Sequence, residues 1–129
     1  MAEKDVIRTD QAPAPLQGAP YNQAIRIGDL VFVAGQLGIE PENGELAGPT
    51  VQDQTGQIMR NLSAILAAAD SGLDKLVKTT VFLTDLGDFA GMNEVYSRYV
   101  GDLPPARSTI EIGALPSGAV VEIEAIAHV

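Results

Sequence analysis

Two segments of the chain carry apolar residues with the period of an α-helix, and each segment has a single apolar stripe. In residues 50–69, which open with Thr50 and Asp53, the stripe consists of Val51, Ile58, Leu62, Ile65, Leu66 and Ala69. The second segment begins after a predicted N-cap at Asp88, ends at Pro104-Pro105, and has the stripe Phe89, Met92, Tyr96 and Tyr99. A helix with one stripe buries one side only, so both helices need a flat apolar partner.

Strand patterns on either side of these helices provide such a partner. Gly28-Asp29 and Asn43-Gly44 are tight-turn sequences between extended segments. Ser71-Gly72 ends the first helix, and the strand that follows places Val77, Thr79, Val81 and Leu83 on one face. The predicted strands are 23–27, 30–34, 77–83, 106–112 and 119–129, with a turn at Pro116-Ser117-Gly118 before the last one.

This order of elements predicts an α+β fold in which two helices cover one face of a mixed sheet. The 129 residues predict one domain, 1–129, because a chain of this length buries roughly two thirds of its unfolded surface. The other face of the sheet has no helix left to cover it. We therefore expect a homo-oligomer in which another copy covers that face and the interfaces form clefts.

Composition removes several classes of site. The chain has no cysteine, and its only histidine, His128, is the penultimate residue, so neither a thiolate nucleophile nor a zinc site of the usual composition is expected. No G-x-G-x-x-G, Walker-type or G-x-S-x-G motif occurs, which leaves nucleotide cofactors and hydrolase triads without a signature. We expect no metal and no cofactor, and a chemistry based on carboxylate, guanidinium, tyrosine and backbone groups.

The charge and hydropathy of the chain limit the kinds of partner that we expect it to bind. The formal net charge is -9 and the Lys and Arg residues are scattered, so we expect no nucleic-acid partner. No apolar run reaches the ~20 residues of a membrane helix, and Met1 to Asp10 has no signal-peptide pattern, which predicts a cytoplasmic protein without a membrane partner. An acidic surface repels small carboxylates at long range, so a site for an acid would need a local cation.

Charged residues lie inside the apolar strands at the end of the chain. If the last two predicted strands pair through the turn between them, Arg107 lies opposite Glu124, and Glu122, opposite Thr109, is its diagonal neighbour. The guanidinium would then hold a substrate carboxylate in a bidentate pair, and the nearby glutamate would position water or move a proton at the adjacent carbon. Spacing alone more often indicates surface salt bridges, and by itself does not distinguish Glu122 from Glu124.

Five short segments, in order along nearly the whole chain, form a further pattern. They are Pro20-Tyr21-Asn22-Gln23-Ala24, Val33-Ala34-Gly35-Gln36, Val77-Lys78-Thr79-Thr80-Val81-Phe82-Leu83, Pro105-Ala106-Arg107-Ser108 and Glu122-Ile123-Glu124-Ala125-Ile126-Ala127. Together they resemble the Rid (YjgF) family, the reactive intermediate deaminases. The arginine segment and the final glutamate segment are the most specific of the five.

The resemblance implies a chorismate-mutase-like α+β subunit that assembles as a homotrimer, with sites in the clefts between subunits. It also implies cofactor-free hydrolysis of a carboxylate-bearing enamine or imine, of the 2-aminoacrylate or 2-aminocrotonate type, to a 2-keto acid and ammonia. In such proteins the arginine matching Arg107 holds the substrate carboxylate. The glutamate matching Glu122 orients the attacking water.

Further positions match other parts of the family site. Tyr21 matches the site tyrosine, Asn93 a site-lining asparagine, and Gly35 a backbone amide that donates to the substrate carboxylate. The backbone carbonyl of Thr109 would contact the same water as Glu122. Each of these three residues also has an alternative explanation without a functional role. Tyr21 would pack after a proline, Asn93 would be an exposed surface residue, and Gly35 would relieve a strand bend.

The chain departs from the family pattern at two places. Many members have serine where this chain has Ala34, so one hydroxyl contact to the substrate carboxylate is lost and more of the binding falls to Gly35. The stretch Leu16-Gln17-Gly18-Ala19 is one residue longer than the usual pattern. That extra residue would move Tyr21.

Three other functions stay open at this point. The same cleft would serve a non-catalytic protein that senses a keto acid or a related metabolite. It would equally serve a deaminase of another amino acid derivative in a degradation pathway. Ribonuclease activity is associated with some family members, but the acidic charge and the lack of a basic stripe argue against it here.

Overall fold

The computed structural model describes residues 3–129, so Met1 and Ala2 of the predicted domain 1–129 lie outside the described residues. Two helices and six strands follow one another along the chain. They are β1 (Asp5–Ile7), β2 (Ala24–Ile27), β3 (Leu30–Leu37), α1 (Val51–Ala68), β4 (Leu76–Leu83), α2 (Phe89–Val100), β5 (Ala106–Glu111) and β6 (Val121–His128). The short edge strand β1 is an addition to the predicted set.

The strands form one mixed sheet in the order β1-β2-β3-β6-β4-β5. All neighbours are antiparallel except β4 and β5, which are parallel. One buried core joins both helices to the sheet, with Ile58, Leu62, Met92 and Tyr96 from the helices and Val31, Val81 and Ile123 from the strands. The predicted α+β fold with two helices on one face of a mixed sheet is confirmed, as is the hairpin of β2 and β3 around Gly28-Asp29.

The predicted pairing of the last two strands is wrong. The edge strand β5 pairs with β4 only, and β6 lies between β3 and β4. Helix α2 carries the chain from one end of β4 back to the start of β5, which makes these two strands parallel. The alternate residues Val121, Ile123, Ala125 and Ala127 are all at most 4% exposed, as expected of a central strand. Arg107 therefore lies beside Thr79 and not beside Glu124.

Helix α1 begins as predicted and ends differently. The Thr50 hydroxyl accepts a hydrogen bond from the Asp53 amide at 3.1 Å, which satisfies one free N–H of the first turn. At the other end the left-handed residue is Asp70, with φ 62°, and the Ser71 amide donates to the Leu66 carbonyl at 2.8 Å. Gly72 is extended and does not provide the helix stop that the sequence indicated.

The faces of β4 and α2 also differ in detail from prediction. A register shift between Leu76 and Lys78 turns Val77 outward, so that Leu76 is buried and Val77 is 45% exposed. In α2 the buried stripe is Met92, Val95, Tyr96 and Val100, while Phe89 and Tyr99 lie at its edge. The helix ends at Gly101, whose φ is 68°, before the two prolines.

The sheet face opposite the helices, which we call the open face, keeps large apolar side chains in contact with solvent. Ile27, Phe32 and Ile110 are 39%, 42% and 44% exposed. At one end loops cover part of this face with a second small cluster around Leu37, Ile39 and Ala119. Neither helix in the described part of the chain has the length and apolar character needed to cross a membrane.

Candidate functional site

Glu122 lies on the open face of the central strand β6. Its cross-strand partners are Leu37 of β3 and Phe82 of β4. Because side chains alternate along a strand, its buried neighbours Val121 and Ile123 point toward the helices. Glu122 itself is half-buried.

Gly35 makes room for this carboxylate. The register of β3 against β6 shifts between Val33 and Gln36, so Ala34 and Gly35 form an irregular stretch beside Glu122. A Cβ built on Gly35 would collide with Oε1 of Glu122 and lie 2.8 Å from its Cδ. The glycine is therefore required for close approach of the glutamate, a role beyond the strand bend considered from sequence.

The surroundings of Glu122 change its acidity. Burial raises the pKa of the carboxyl above 4.5, and the negative charge of Glu124, two residues further along the same face, raises the pKa again. A carboxyl whose pKa moves toward neutrality is better suited both to accept and to return a proton near pH 7.

Tyr21 lies in the same region of the open face. It lines a small cleft together with Gly35, Leu37 and Ile39. Its hydroxyl accepts a hydrogen bond from the Leu16 amide at 2.8 Å. The loop that precedes it contains a turn in which Gln17 and Gly18 are left-handed, with φ 54° and 67°. Tyr21 lines the cleft beside Gly35, and the expected displacement of Tyr21 by a longer loop stays a prediction.

Arg107 belongs to the other face of the sheet. It pairs with Thr79, whose hydroxyl lies 2.7 Å from the Tyr96 hydroxyl of α2, so this side of β5 faces the helices. Its Cζ lies 4.9 Å from the centre of the Tyr96 ring and 5.5 Å from that of Phe89. Within residues 3–129 the side-chain ion pairs are Arg26 with Asp70 and Arg98 with Glu94, and neither involves Arg107.

Thr109 and Asn93 lie on the same side as Arg107. Thr109 is two residues further along β5 and pairs with the buried Val81, so it shares the helix-facing side. Asn93 follows Phe89 by four residues and precedes Tyr96 by three, which places it on the same stripe of α2. Both residues are half-buried.

The predicted site residues thus fall into two groups on opposite faces of one sheet. Glu122, Gly35 and Tyr21 form a carboxylate half-site on the open face, with Ala34 half-buried next to Gly35. Arg107, Thr109 and Asn93 form a guanidinium half-site beside α2. The expectation that Arg107 and Glu122 are diagonal neighbours is wrong for a single chain, because Glu122 pairs with Phe82, which points away from the helices, whereas Arg107 pairs with Thr79, which points toward them.

Sequence reasoning missed the contacts of Arg107. Phe89, Tyr96 and Thr79 were assigned only to apolar stripes, yet the two rings and the hydroxyl surround the guanidinium half-site. Phe89 and Tyr96 are seven residues apart on one helix, and this spacing indicates that their rings share a face. The parallel pairing of β4 and β5, which brings β5 under α2, has no comparable signal in the sequence.

These groups support acid–base and carboxylate chemistry. An arginine such as Arg107, which forms no ion pair within residues 3–129, has the chemistry to bind a carboxylate, and a half-buried glutamate with a raised pKa has the chemistry to transfer protons. Among residues 3–129 no three His, Asp or Glu side chains are grouped in a way that would hold a metal ion.

Comparison with known proteins finds a matching family model, similar proteins and similar solved structures over nearly the whole chain. The family described as Endoribonuclease L-PSP matches residues 9–129. The chain is 46% identical over 125 residues to Reactive Intermediate Deaminase A, chloroplastic, of Arabidopsis thaliana, with 97% of this chain and 66% of that protein covered. It is 41% identical over 124 residues to the 2-iminobutanoate/2-iminopropanoate deaminase of Mus musculus, with 96% and 90% covered. The crystal structure of RidA from the Antarctic bacterium Psychrobacter sp. PAMC 21119 aligns with a TM-score of 0.92 at 42% identity, covering 97% and 99% of the two chains.

Proposed function

This chain belongs to the Rid (YjgF) family of reactive intermediate deaminases, and from that membership we propose that it hydrolyses carboxylate-bearing enamines or imines to 2-keto acids and ammonia without a cofactor. The substrates we propose are of the 2-aminoacrylate or 2-aminocrotonate type. The name of the mouse relative specifies 2-iminobutanoate and 2-iminopropanoate, the imine forms of the same compounds.

The observation that carries this proposal is that Arg107, which forms no ion pair within residues 3–129, and Glu122, whose pKa is raised, lie on opposite faces of one sheet. Neither half-site is sufficient alone, since one lacks an acid–base group and the other lacks a cation. We propose that the guanidinium half-site of one subunit meets the carboxylate half-site of another. The apolar residues on the open face, including Phe32 and Ile110, favour such an association, and a homotrimer is the assembly that we propose.

Substrate binding would begin at the carboxylate. Arg107 offers two parallel N–H groups in the geometry that a carboxylate accepts. Gly35 lies in the irregular stretch of β3 beside Glu122, and its amide is the second donor that we propose. Ala34 has no hydroxyl to add, so these two groups would supply the polar contacts to the acid, and Asn93 would line the same cleft.

The chemical step would be addition of water to the imine carbon. As the water oxygen attacks, Glu122 takes one proton from the water and passes it to the imine nitrogen, which gives a carbinolamine. Glu122 then takes the hydroxyl proton of the carbinolamine and passes it to the amine as the carbon–nitrogen bond breaks, so that the keto acid and ammonia form. The backbone carbonyl of Thr109 would fix the same water, and Tyr21 would close the site beside Gly35. The raised pKa of Glu122 supports this double use, because a strongly acidic carboxyl would return the proton poorly.

The experiment that tests the proposal couples a serine or threonine dehydratase, which generates the enamine, to detection of keto acid release. Wild-type protein should accelerate release above the spontaneous rate, and Arg107→Ala and Glu122→Gln should each reduce the acceleration about 100-fold or more. Arg98→Ala and Glu42→Gln are matched controls, since they remove an exposed arginine and an exposed carboxylate that belong to neither half-site.

Failure of the wild-type protein to exceed the spontaneous rate would contradict the deaminase proposal. Retained binding of a 2-keto acid in that case would favour the metabolite-sensing function, which uses the same cleft without turnover. Turnover of a different amino-substituted acid would favour a degradative deaminase.

The family description names an endoribonuclease, but the net charge of -9 does not favour an RNA substrate. RNA binding at physiological salt, with an affinity that falls as salt rises, would reverse that preference. The name of the Arabidopsis relative places that protein in the chloroplast, so the cytoplasmic location expected for this chain stays a prediction.

A further inference from the structure

In the described part of the chain the guanidinium of Arg107 has no carboxylate counter-ion. The residue is half-buried, and among residues 3–129 no carboxylate forms an ion pair with it. A guanidinium that is partly withdrawn from water usually gains a compensating partner. The partners present here are two aromatic rings of α2.

Both rings lie at distances that favour a cation. The centre of the Tyr96 ring is 4.9 Å from the Arg107 Cζ and the centre of the Phe89 ring is 5.5 Å from it, and attraction to the ring face extends to about 6 Å. The two residues are seven positions apart, which is two helical turns, so one stripe of α2 presents both rings to β5. Contact between a cation and a ring face does not occupy the N–H donors of the guanidinium as a carboxylate partner would.

The Tyr96 ring is itself fixed to the sheet. Tyr96 is 4% exposed, and its hydroxyl is 2.7 Å from the hydroxyl of Thr79, which is fully buried. Thr79 is the cross-strand partner of Arg107. One hydrogen bond thus ties the ring to the strand position next to the arginine that it contacts.

We propose that Phe89 and Tyr96, with Tyr96 anchored by Thr79, form an aromatic cradle that positions the Arg107 guanidinium for a substrate carboxylate. The proposal rests on the proposed function, and it assigns positioning residues that act through Arg107. A carboxylate in place of the rings would hold the arginine equally well but would occupy the N–H groups that the substrate needs. Aromatic rings orient the cation and leave those groups free.

The cradle predicts a specific pattern of binding and rate. The substrate carboxylate is held in both the ground state and the transition state, so a loosened Arg107 weakens both equally, raises KM and leaves kcat nearly unchanged. Replacement of one ring by an aliphatic side chain should weaken carboxylate binding about three- to tenfold. A purely structural role would instead lower the fraction of active protein, and with it kcat.

The test uses Phe89→Leu, because Phe89 is 42% exposed and a leucine there keeps an apolar contact. Binding of 2-oxobutanoate is measured by calorimetry, and the Nε–H signal of Arg107 is followed by NMR in protein with ¹⁵N-labelled arginine, assigned by its loss in Arg107→Lys. Phe89→Trp restores an aromatic face, and Tyr99→Leu removes another ring of the same helix as the matched control.

The cradle is supported if Phe89→Leu raises the dissociation constant three- to tenfold and moves the Arg107 signal away from its ring-shifted position, while Phe89→Trp and Tyr99→Leu resemble wild type. It is overturned if the signal or the affinity is the same in Phe89→Leu as in wild type. Wild-type protein that neither binds the keto acid nor accelerates deamination would contradict the proposed function, and a cradle that serves substrate binding would fall with it. Deamination by wild type with an unmoved Arg107 signal would contradict the cradle alone.

Discussion

Gly35 offers the most direct way to move the Glu122 carboxylate without changing its chemistry. A methyl group at residue 35 would lie 2.8 Å from the Glu122 Cδ and in collision with its Oε1. Ordinary carbon–carbon contact is about 3.5–4.0 Å, so the carboxylate must retreat by about 1 Å in Gly35→Ala. The φ angle of Gly35 is not in the left-handed region, and the obstacle is the end of a side chain, so the backbone itself accepts alanine.

A displacement of this size predicts a large loss of rate and a small loss of stability. Misplacement of a reacting group by 1 Å can cost about 100-fold in rate. We therefore expect kcat of Gly35→Ala to fall about 100-fold. Rotation of the glutamate would relieve the overpacking, so we expect the free energy of unfolding to fall by only about 1–3 kcal/mol. The coupled deaminase assay and urea denaturation measure the two quantities separately.

Non-additivity shows whether the alanine acts through the glutamate. If Gly35→Ala disables the carboxylate by moving it, adding Glu122→Gln to Gly35→Ala should reduce kcat far less than Glu122→Gln does in wild-type protein. A Gly35→Ala protein with the kcat of wild type would refute the reasoning, because the position of the carboxylate would then be immaterial. Fully multiplicative effects would show that the two residues act independently.

Three further predictions address the half-sites, the pKa and the packing. Because each proposed site takes Arg107 and Glu122 from different subunits, inactive Arg107→Ala and Glu122→Gln chains, unfolded and refolded together in equal amounts, should regain about a quarter of the wild-type activity per chain if they form homotrimers; recovery no greater than in separately refolded controls would contradict a shared site. Since the folded-state pKa of Glu122 is raised above 4.5, ionisation opposes folding as pH rises through the interval between 4.5 and the raised value, so Glu122→Gln should be more stable than wild type at pH 7 and lose that advantage at low pH; urea midpoints from pH 4 to 8 would show it, and an equal advantage at every pH would contradict it. A Cβ at Gly38 would lie 2.6 Å from the Cα and carbonyl oxygen of Gln54 in α1, where backbone atoms have little freedom to move, so Gly38→Ala should lower the free energy of unfolding by about 1–3 kcal/mol; an unchanged urea midpoint would show that strand and helix separate without cost.

Much of the fold could be predicted because its signals are local. The hairpin around Gly28-Asp29, the start of α1 at Thr50 and the two helices on one face follow from turn chemistry, capping and the 3.6-residue period. The predictions that were wrong concern features that depend on pairing with neighbouring strands. An example is Val77, which a register shift in β4 turns outward.

The strand pairing near the site could not be predicted, because proximity along the chain favoured the wrong partner. The last two strands are separated by a short turn, which is typical of a hairpin, yet β6 is inserted between β3 and β4. Its alternate residues are at most 4% exposed, and a position at the sheet centre buries them better than a two-stranded pairing at the edge. That preference depends on the whole sheet and has no local signature. Charged residues inside apolar strands indicated Arg107 and Glu122 as candidates, and the family resemblance favoured Glu122 over Glu124, whereas the separation of the two candidates came from the structure.

The separation prevents Arg107 and Glu122 from neutralising each other within one subunit. Within one subunit β4 lies between β5 and β6, and the two side chains leave opposite faces, so no change of rotamer brings Arg107 to Glu122. Paired within a chain, the two would form a salt bridge that blocks the carboxylate site and lowers the pKa of the glutamate. Kept apart, the arginine is oriented by neutral rings and the glutamate retains a raised pKa. Both properties that the proposed reaction requires therefore follow from placing the residues on opposite faces, and association of subunits would be the step that combines them.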